Sequence, residues 1–86
     1  MSSPEVVLYS RDGCCLCDDA RVVLERVRDG APSAFVLTER DIDSDDALHR
    51  AYLERIPVVT IDGEEAFELF VSEAELRERL GIVQAG

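Results

Sequence analysis

The stretch Leu8-Tyr9-Ser10-Arg11-Asp12-Gly13-Cys14-Cys15-Leu16-Cys17-Asp18-Asp19-Ala20 decides how this chain is read. An apolar run enters an Asp-Gly turn, and a helical pattern then opens with two cysteines spaced C-x-x-C. Positions i and i+3 of a helix share a face, with Cβ atoms about 5–6 Å apart. A disulfide spans Cα atoms roughly 4.4–6.8 Å apart, so Cys14 and Cys17 are able to close and reopen a bond with little backbone movement. Thiol–disulfide exchange needs one accessible thiolate and a second thiol within reach to resolve the mixed disulfide. Cys17 lies one turn ahead of Ala20 on the apolar stripe, whereas Cys14 precedes the helix and faces its opening.

The elements on either side follow from the same patterns. Val6-Val7-Leu8-Tyr9 is a continuous apolar run, as expected of a central strand buried on both faces. From about 15 to 28, Leu16, Ala20, Val23, Leu24 and Val27 repeat at helical spacing, and Gly30 and Pro32 stop the helix. Residues 34–38 read as a second strand. The acidic stretch 39–46 leads into a helix over about 45–54, with Asp43 or Ser44 as N-cap and Leu48, Ala51 and Tyr52 as its apolar face. Residues 57–61 form a third strand, Asp62-Gly63 a primed hairpin turn, and 66–71 a fourth strand. Ser72 with Glu75 is a capping box for a last helix over 73–80, which Gly81 ends. The order β-α-β-α-β-β-α predicts an α/β fold, a four-stranded mixed sheet with helices on both faces. In open α/β sheets ligands bind beyond the carboxyl ends of the parallel strands, where Cys14 lies.

A chain of 86 residues makes one small domain over 1–86, burying roughly 60–65% of its unfolded surface. No run approaches the ~18 apolar residues of a membrane span. Met1-Ser2-Ser3-Pro4-Glu5 has neither the basic nor the apolar region of a signal peptide, so the expectation is a soluble, cytoplasmic monomer. The formal charge is −10, from 19 acidic and 9 basic residues, every basic one an Arg. That excess disfavours nucleic-acid binding. Three cysteines sit together and none elsewhere, which reads as redox or metal chemistry and not as a secreted disulfide scaffold.

The Leu8–Ala20 stretch, together with Arg55-Ile56-Pro57-Val58-Val59-Thr60-Ile61-Asp62-Gly63, resembles the thioredoxin superfamily, and most of all its short glutaredoxin-like proteins. The likeness covers nearly the whole chain. It implies a thioredoxin fold and a thiol–disulfide oxidoreductase in which Cys14 attacks and Cys17 resolves. It further implies that Pro57 is the family's cis-proline, that Ile56 offers its backbone to a substrate chain, and that Arg11 stands where glutaredoxins carry Lys or Arg. The implied substrates are disulfides of proteins or small thiols. No cofactor is implied beyond glutathione as a co-substrate, and either glutathione or a reductase would donate electrons. Where glutaredoxins place Gly-Gly, a small residue and Asp to hold glutathione, this chain has Phe70-Val71-Ser72-Glu73. The close backbone approach that Gly permits is lost there.

The other readings of these residues are blander. A helix amino terminus and Arg11 favour a thiolate at Cys14, while Asp12, Asp18 and Asp19 oppose it. Cys15 points away from the apolar stripe, and a vicinal Cys14–Cys15 disulfide is strained. No metal site is expected: adjacent cysteines do not readily both ligate, and His49 reads as solvated. Asp41, Asp43 and Asp45 mimic a calcium loop, but Asp46 and Tyr52 stand where its Gly and closing Glu belong. An iron–sulfur or metal carrier using Cys14, and a non-catalytic thioredoxin-fold interaction module, are the alternatives to the exchange reaction.

Overall fold

A computed structural model describes residues 3–31 and 33–81. Along the chain run β1 (Glu5–Ser10), α1 (Cys15–Gly30), β2 (Val36–Asp41), a 3-10 turn (Ile42–Ser44), α2 (Asp46–Tyr52), β3 (Val58–Ile61), β4 (Glu64–Glu68) and α3 (Glu73–Leu80). The strands lie in the order β2-β1-β3-β4. β1 is parallel to β2 and antiparallel to β3, and β4 closes the hairpin. This is the expected mixed α/β sheet.

β1 is central because it is apolar on both faces: Val6, Val7 and Leu8 are all buried. Val6 and Leu8 join Val59, Phe67, Ala20, Leu24, Val27 and Leu76 in the main core, so α1 and α3 cover one face of the sheet. Tyr9 alternates to the other face, where its ring stacks 4.8 Å from that of Tyr52 on α2. Full burial of a Leu side chain such as Leu8, Leu24 or Leu76 contributes about 1.5–3 kcal/mol.

Boundaries depart from the sequence reading for identifiable reasons. The Asp62-Gly63 turn has positive φ at both residues (52° and 86°), a two-residue turn that lets β4 begin at once, at Glu64 and not at 66. β4 ends at Glu68 because Leu69 turns into the left-handed region (φ 71°) and gives its N–H to the carbonyls of Pro57 (2.9 Å) and Arg55 (3.2 Å). The second strand, expected at 34–38, is displaced toward Asp41 because β1 pairs with it along its whole length, from Glu5↔Val36 to Ser10↔Asp41. Neither Asp43 nor Ser44 caps α2. Burial of Ile42 inserts the 3-10 turn, which Asp41 caps, and Asp45 then accepts the N–H groups of Ala47 (2.8 Å) and Leu48 (3.4 Å). Ala51, assigned to the apolar face of α2, is exposed. Pro32 and residues 1–2 and 82–86 lie outside the described residues, whereas α1 runs through Gly30.

Three loops meet at one end of the sheet. Tyr9 pairs with Arg40 on β2 and Val58 on β3, and Val58 pairs with Glu68 on β4. The next residues outward are therefore the Arg11–Cys14 turn, the Ile56–Pro57 loop and the Leu69–Phe70 loop, side by side.

Thr60 is 4% exposed, and its hydroxyl has no partner among the described residues. A buried hydroxyl without a hydrogen bond costs about 1 kcal/mol or more. Thr60→Val is expected to stabilise the fold by about 1 kcal/mol, a rise in Tm of roughly 4–8 °C for a domain of this size, read by calorimetry.

Candidate active site

The turn after β1 is built to present a sulfur. The Cys14 N–H closes it onto the Arg11 carbonyl at 3.3 Å, and Gly13 takes φ 79°, a conformation that a residue with a Cβ adopts at a cost of about 1–2 kcal/mol. Cys14 is extended (φ −92°, ψ 110°) and is itself the N-cap of α1, its Sγ accepting the Cys17 N–H at 3.2 Å. A sulfur thus stands where a Ser or Asp oxygen ordinarily takes up an unpaired N–H of the first turn.

The three cysteines are all free, and each has a different environment: Cys14 is partly buried, Cys15 exposed and Cys17 buried. Burial and, after it, the hydrogen bond with Cys14 push the Cys17 thiol up to about 12. The Arg11 backbone N–H and the Arg21 guanidinium pull it the other way. Cys17 therefore holds its proton at neutral pH. Two of the influences that raise it come from Cys14, through that hydrogen bond and through charge. Capping the Cys14 sulfur would remove both and ease the release of the Cys17 proton.

Arg11 does not reach toward the sulfurs. Its Nε pairs with Asp43 Oδ2 at 3.0 Å, and the same carboxylate lies 3.5 Å from His49 Nε2. Arg21, which the sequence reading passed over, is the better connected cation. It binds Asp18 Oδ1 (2.7 Å) and both oxygens of Glu39 (2.8 and 2.5 Å), while Ser10 Oγ donates to Glu39 at 2.7 Å. Arg21, helped by Ser10, holds the Glu39 carboxyl below the usual range against its partial burial. The i,i+3 spacing of Asp18 and Arg21 was visible in the chain; the reach to Glu39 depends on the β1–β2 register. These groups line an open cleft of about 390 Å³ beside the turn that carries Cys14.

On the other side of the turn the Ile56–Pro57 bond is cis. Pro57 is fully buried. The Ile56 N–H is donated to the Tyr52 carbonyl at 3.0 Å. Of the two groups expected to pair with a substrate chain, only the carbonyl has no hydrogen bond among the described residues. Arg55 steadies the loop through Glu65 and Glu68 (2.7 Å to the latter) and packs over the Tyr52 ring. In the Phe70-Val71-Ser72-Glu73 stretch the last three residues are likewise occupied with structure. Val71 is in the core, Ser72 caps α3, and Glu73 pairs with Arg26 (2.9 Å) and Arg77 (3.4 Å). Leu16, counted in the buried stripe of α1, is 51% exposed, and its neighbour Cys17 fills the buried position that leads into Ala20, Leu24 and Val27.

A four-stranded mixed sheet in this order, with a C-x-x-C at the start of the first helix, defines the thioredoxin fold. Solved structures agree. A Nitrosomonas europaea protein, Ne2328, superposes with a TM-score of 0.75 at 23% identity over 92% of this chain and 93% of its own. A thioredoxin-2 of the malaria parasite does so at 0.73 and 15% identity, over 92% and 82%. A protein from X. campestris is 35% identical, with a TM-score of 0.71 over 92% of this chain and 99% of its own. The sequence pattern of the Glutaredoxin-like domain (DUF836) matches residues 5–81, and the chain belongs to that family. No curated protein matches it. Among the described residues no helix is long and apolar enough to cross a membrane, and no three His, Cys, Asp or Glu side chains converge to hold a metal ion.

The raised Cys17 thiol has a consequence for stability. The folded state keeps a proton that an unfolded cysteine gives up near its ordinary value of 9.0. Stability is thus whole below pH 9 and falls as pH climbs toward 12, by about 1.4 kcal/mol per unit. Urea unfolding at pH 8, 9.5 and 10.5 is expected to show that decline, and Cys17→Ala to show it reduced by about that slope.

Proposed function

We propose that this protein is a dithiol oxidoreductase that exchanges its Cys14/Cys17 pair with disulfides of proteins or small thiols. The observation that carries the reading is the pairing of a partly exposed sulfur, held on a helix amino terminus, with a buried thiol one turn along. In the cycle, the Cys14 thiolate attacks one sulfur of a substrate disulfide. The other substrate sulfur leaves as a thiolate and takes a proton from water. Cys17 then gives its proton to water and attacks Cys14 Sγ, which forms the Cys14–Cys17 disulfide and expels the second substrate thiolate, itself protonated from water. Two electrons pass from the dithiol to the substrate. An external thiol or dithiol, glutathione or the dithiol of a reductase, restores the pair.

The environment of Cys17 supports this order of events. While Cys14 is a free thiolate, its charge and hydrogen bond help to keep Cys17 protonated. Formation of the mixed disulfide neutralises Cys14 and leaves the Arg11 N–H and the Arg21 guanidinium to favour the second thiolate. Cysteines confined to this one cluster suit a reducing, cytoplasmic setting. Neither Arg11, committed to Asp43, nor Pro57, buried, contacts substrate in this reading; Ile56 contributes its carbonyl.

The test is consumption of 2-hydroxyethyl disulfide by the reduced protein, followed with mass analysis of the thiols. Wild type is expected to lose two hydrogens per turnover. Cys14→Ser is expected to fall to background, and Cys17→Ser to accumulate a mixed disulfide on Cys14 without releasing it. Equal, background consumption by wild type and Cys14→Ser would instead mark a non-catalytic interaction module.

A further inference from the structure

The surface around Cys14 is divided. In the spatial order of the strands, the sheet end carries an acidic side beyond β2 and β1 and an apolar side beyond β4. The cleft on the acidic side is lined by Asp12, Asp18, Glu39 and Asp41 against Arg11 and Arg21. Both guanidiniums are already paired, Arg21 within the cleft and Arg11 with Asp43. The field left over is negative, in a chain whose net charge is −10. On the apolar side Phe70 is 69% exposed and Leu69 49%. The two Leu69 hydrogen bonds, to the carbonyls on either side of Ile56, fix this loop against the cis-proline loop. Leu16, two residues after Cys14, is a further exposed apolar side chain (51%).

Resting on the dithiol reading above, we infer that the substrate is a polypeptide disulfide whose cysteine has a bulky apolar residue on one side and basic residues on the other. Three features lead there. With the Ile56 N–H bonded to Tyr52, backbone pairing with a substrate is reduced to one carbonyl, so side chains must carry the recognition. An exposed Phe-Leu pair at the same sheet end as the thiol, two strands across, gains by covering apolar area, about 25 cal/mol per Å². A basic segment is drawn to the acidic cleft and a carboxylate is repelled, which changes encounter rates by about tenfold or more at low salt. Oxidised glutathione, small and anionic, meets the repulsion and covers little of the rim. The exchange step itself is unchanged: the substrate disulfide is reduced to two thiols, the Cys14/Cys17 dithiol is oxidised, and an external dithiol such as dithiothreitol returns the electrons.

Four disulfide-linked peptide homodimers test this, identical except that the residues flanking the cysteine are Lys and Leu, Glu and Leu, Lys and Gly, or Glu and Gly. Oxidised glutathione and 2-hydroxyethyl disulfide complete the set. Each rate with the reduced protein is divided by the same disulfide's rate with dithiothreitol, which removes differences in intrinsic reactivity. The Lys/Leu peptide is expected to exceed the Glu/Gly peptide and oxidised glutathione by about tenfold. In 0.5 M salt the Lys advantage should shrink, since the Debye length falls to about 4 Å, and the Leu advantage should persist. Phe70→Gly should lower the ratio of Leu to Gly peptides, and Asp12→Asn the ratio of Lys to Glu peptides. Equal normalised rates across the peptides and glutathione, with 2-hydroxyethyl disulfide still consumed faster than by Cys14→Ser, would overturn the substrate assignment and leave the dithiol reading standing. Rates no faster than Cys14→Ser for every disulfide would overturn both.

Discussion

The hydrogen bond from the Cys17 backbone to the Cys14 sulfur ties the chemistry to the fold. It exists because β1, buried on both faces, delivers the chain to the end of the sheet. Gly13 then turns it through a left-handed conformation, and Cys14 is left extended as the cap of α1. The same bond fixes the phase of the helix. With Cys14 at the cap, Cys17 falls on the stripe that continues through Ala20, Leu24 and Val27 into the core. One sulfur is held at the surface and the other out of water by a single geometric choice, and the raised thiol of Cys17 follows from its burial.

How much of this was legible in the chain varied with the range of the interaction. The C-x-x-C at a helix start, the Asp-Gly hairpin, the Ser72 cap and the apolar run of β1 are local signals, and each holds in the structure. The misplaced features depend on contacts between distant segments. β4 stops at Glu68 because Leu69 bonds to the Arg55 and Pro57 carbonyls, and nothing near Leu69 in sequence announces it. Arg11 was read as a cation for the thiol from its proximity in sequence, yet Asp43, brought near by the β1–β2 pairing, takes it. Arg21 was missed for the converse reason, since its partner Glu39 is on another strand. Leu16 fits the helical stripe by spacing but is half exposed, the buried place in the first turn being taken by Cys17.

The loops around the dithiol have been drawn into holding the fold, and this limits what they can offer a ligand. Glu73 pairs with Arg26 and Arg77, Ser72 caps α3, the Ile56 N–H closes the end of α2, and Pro57 is buried. Each group that a glutaredoxin-like resemblance assigns to glutathione or to a substrate backbone is thus satisfied internally, apart from the Ile56 carbonyl. What remains open to solvent at this end is the pair of thiols at Cys14 and Cys15, an acidic cleft and the Leu16, Leu69 and Phe70 side chains. Chemistry and selectivity then rest on different parts of the molecule. The geometry of Cys14 and Cys17 depends on the cap of α1 and its burial against the sheet, in which Phe70, exposed after β4, has no part. In the proposed reading selectivity falls instead to a rim outside the core, on which the geometry of the dithiol does not depend.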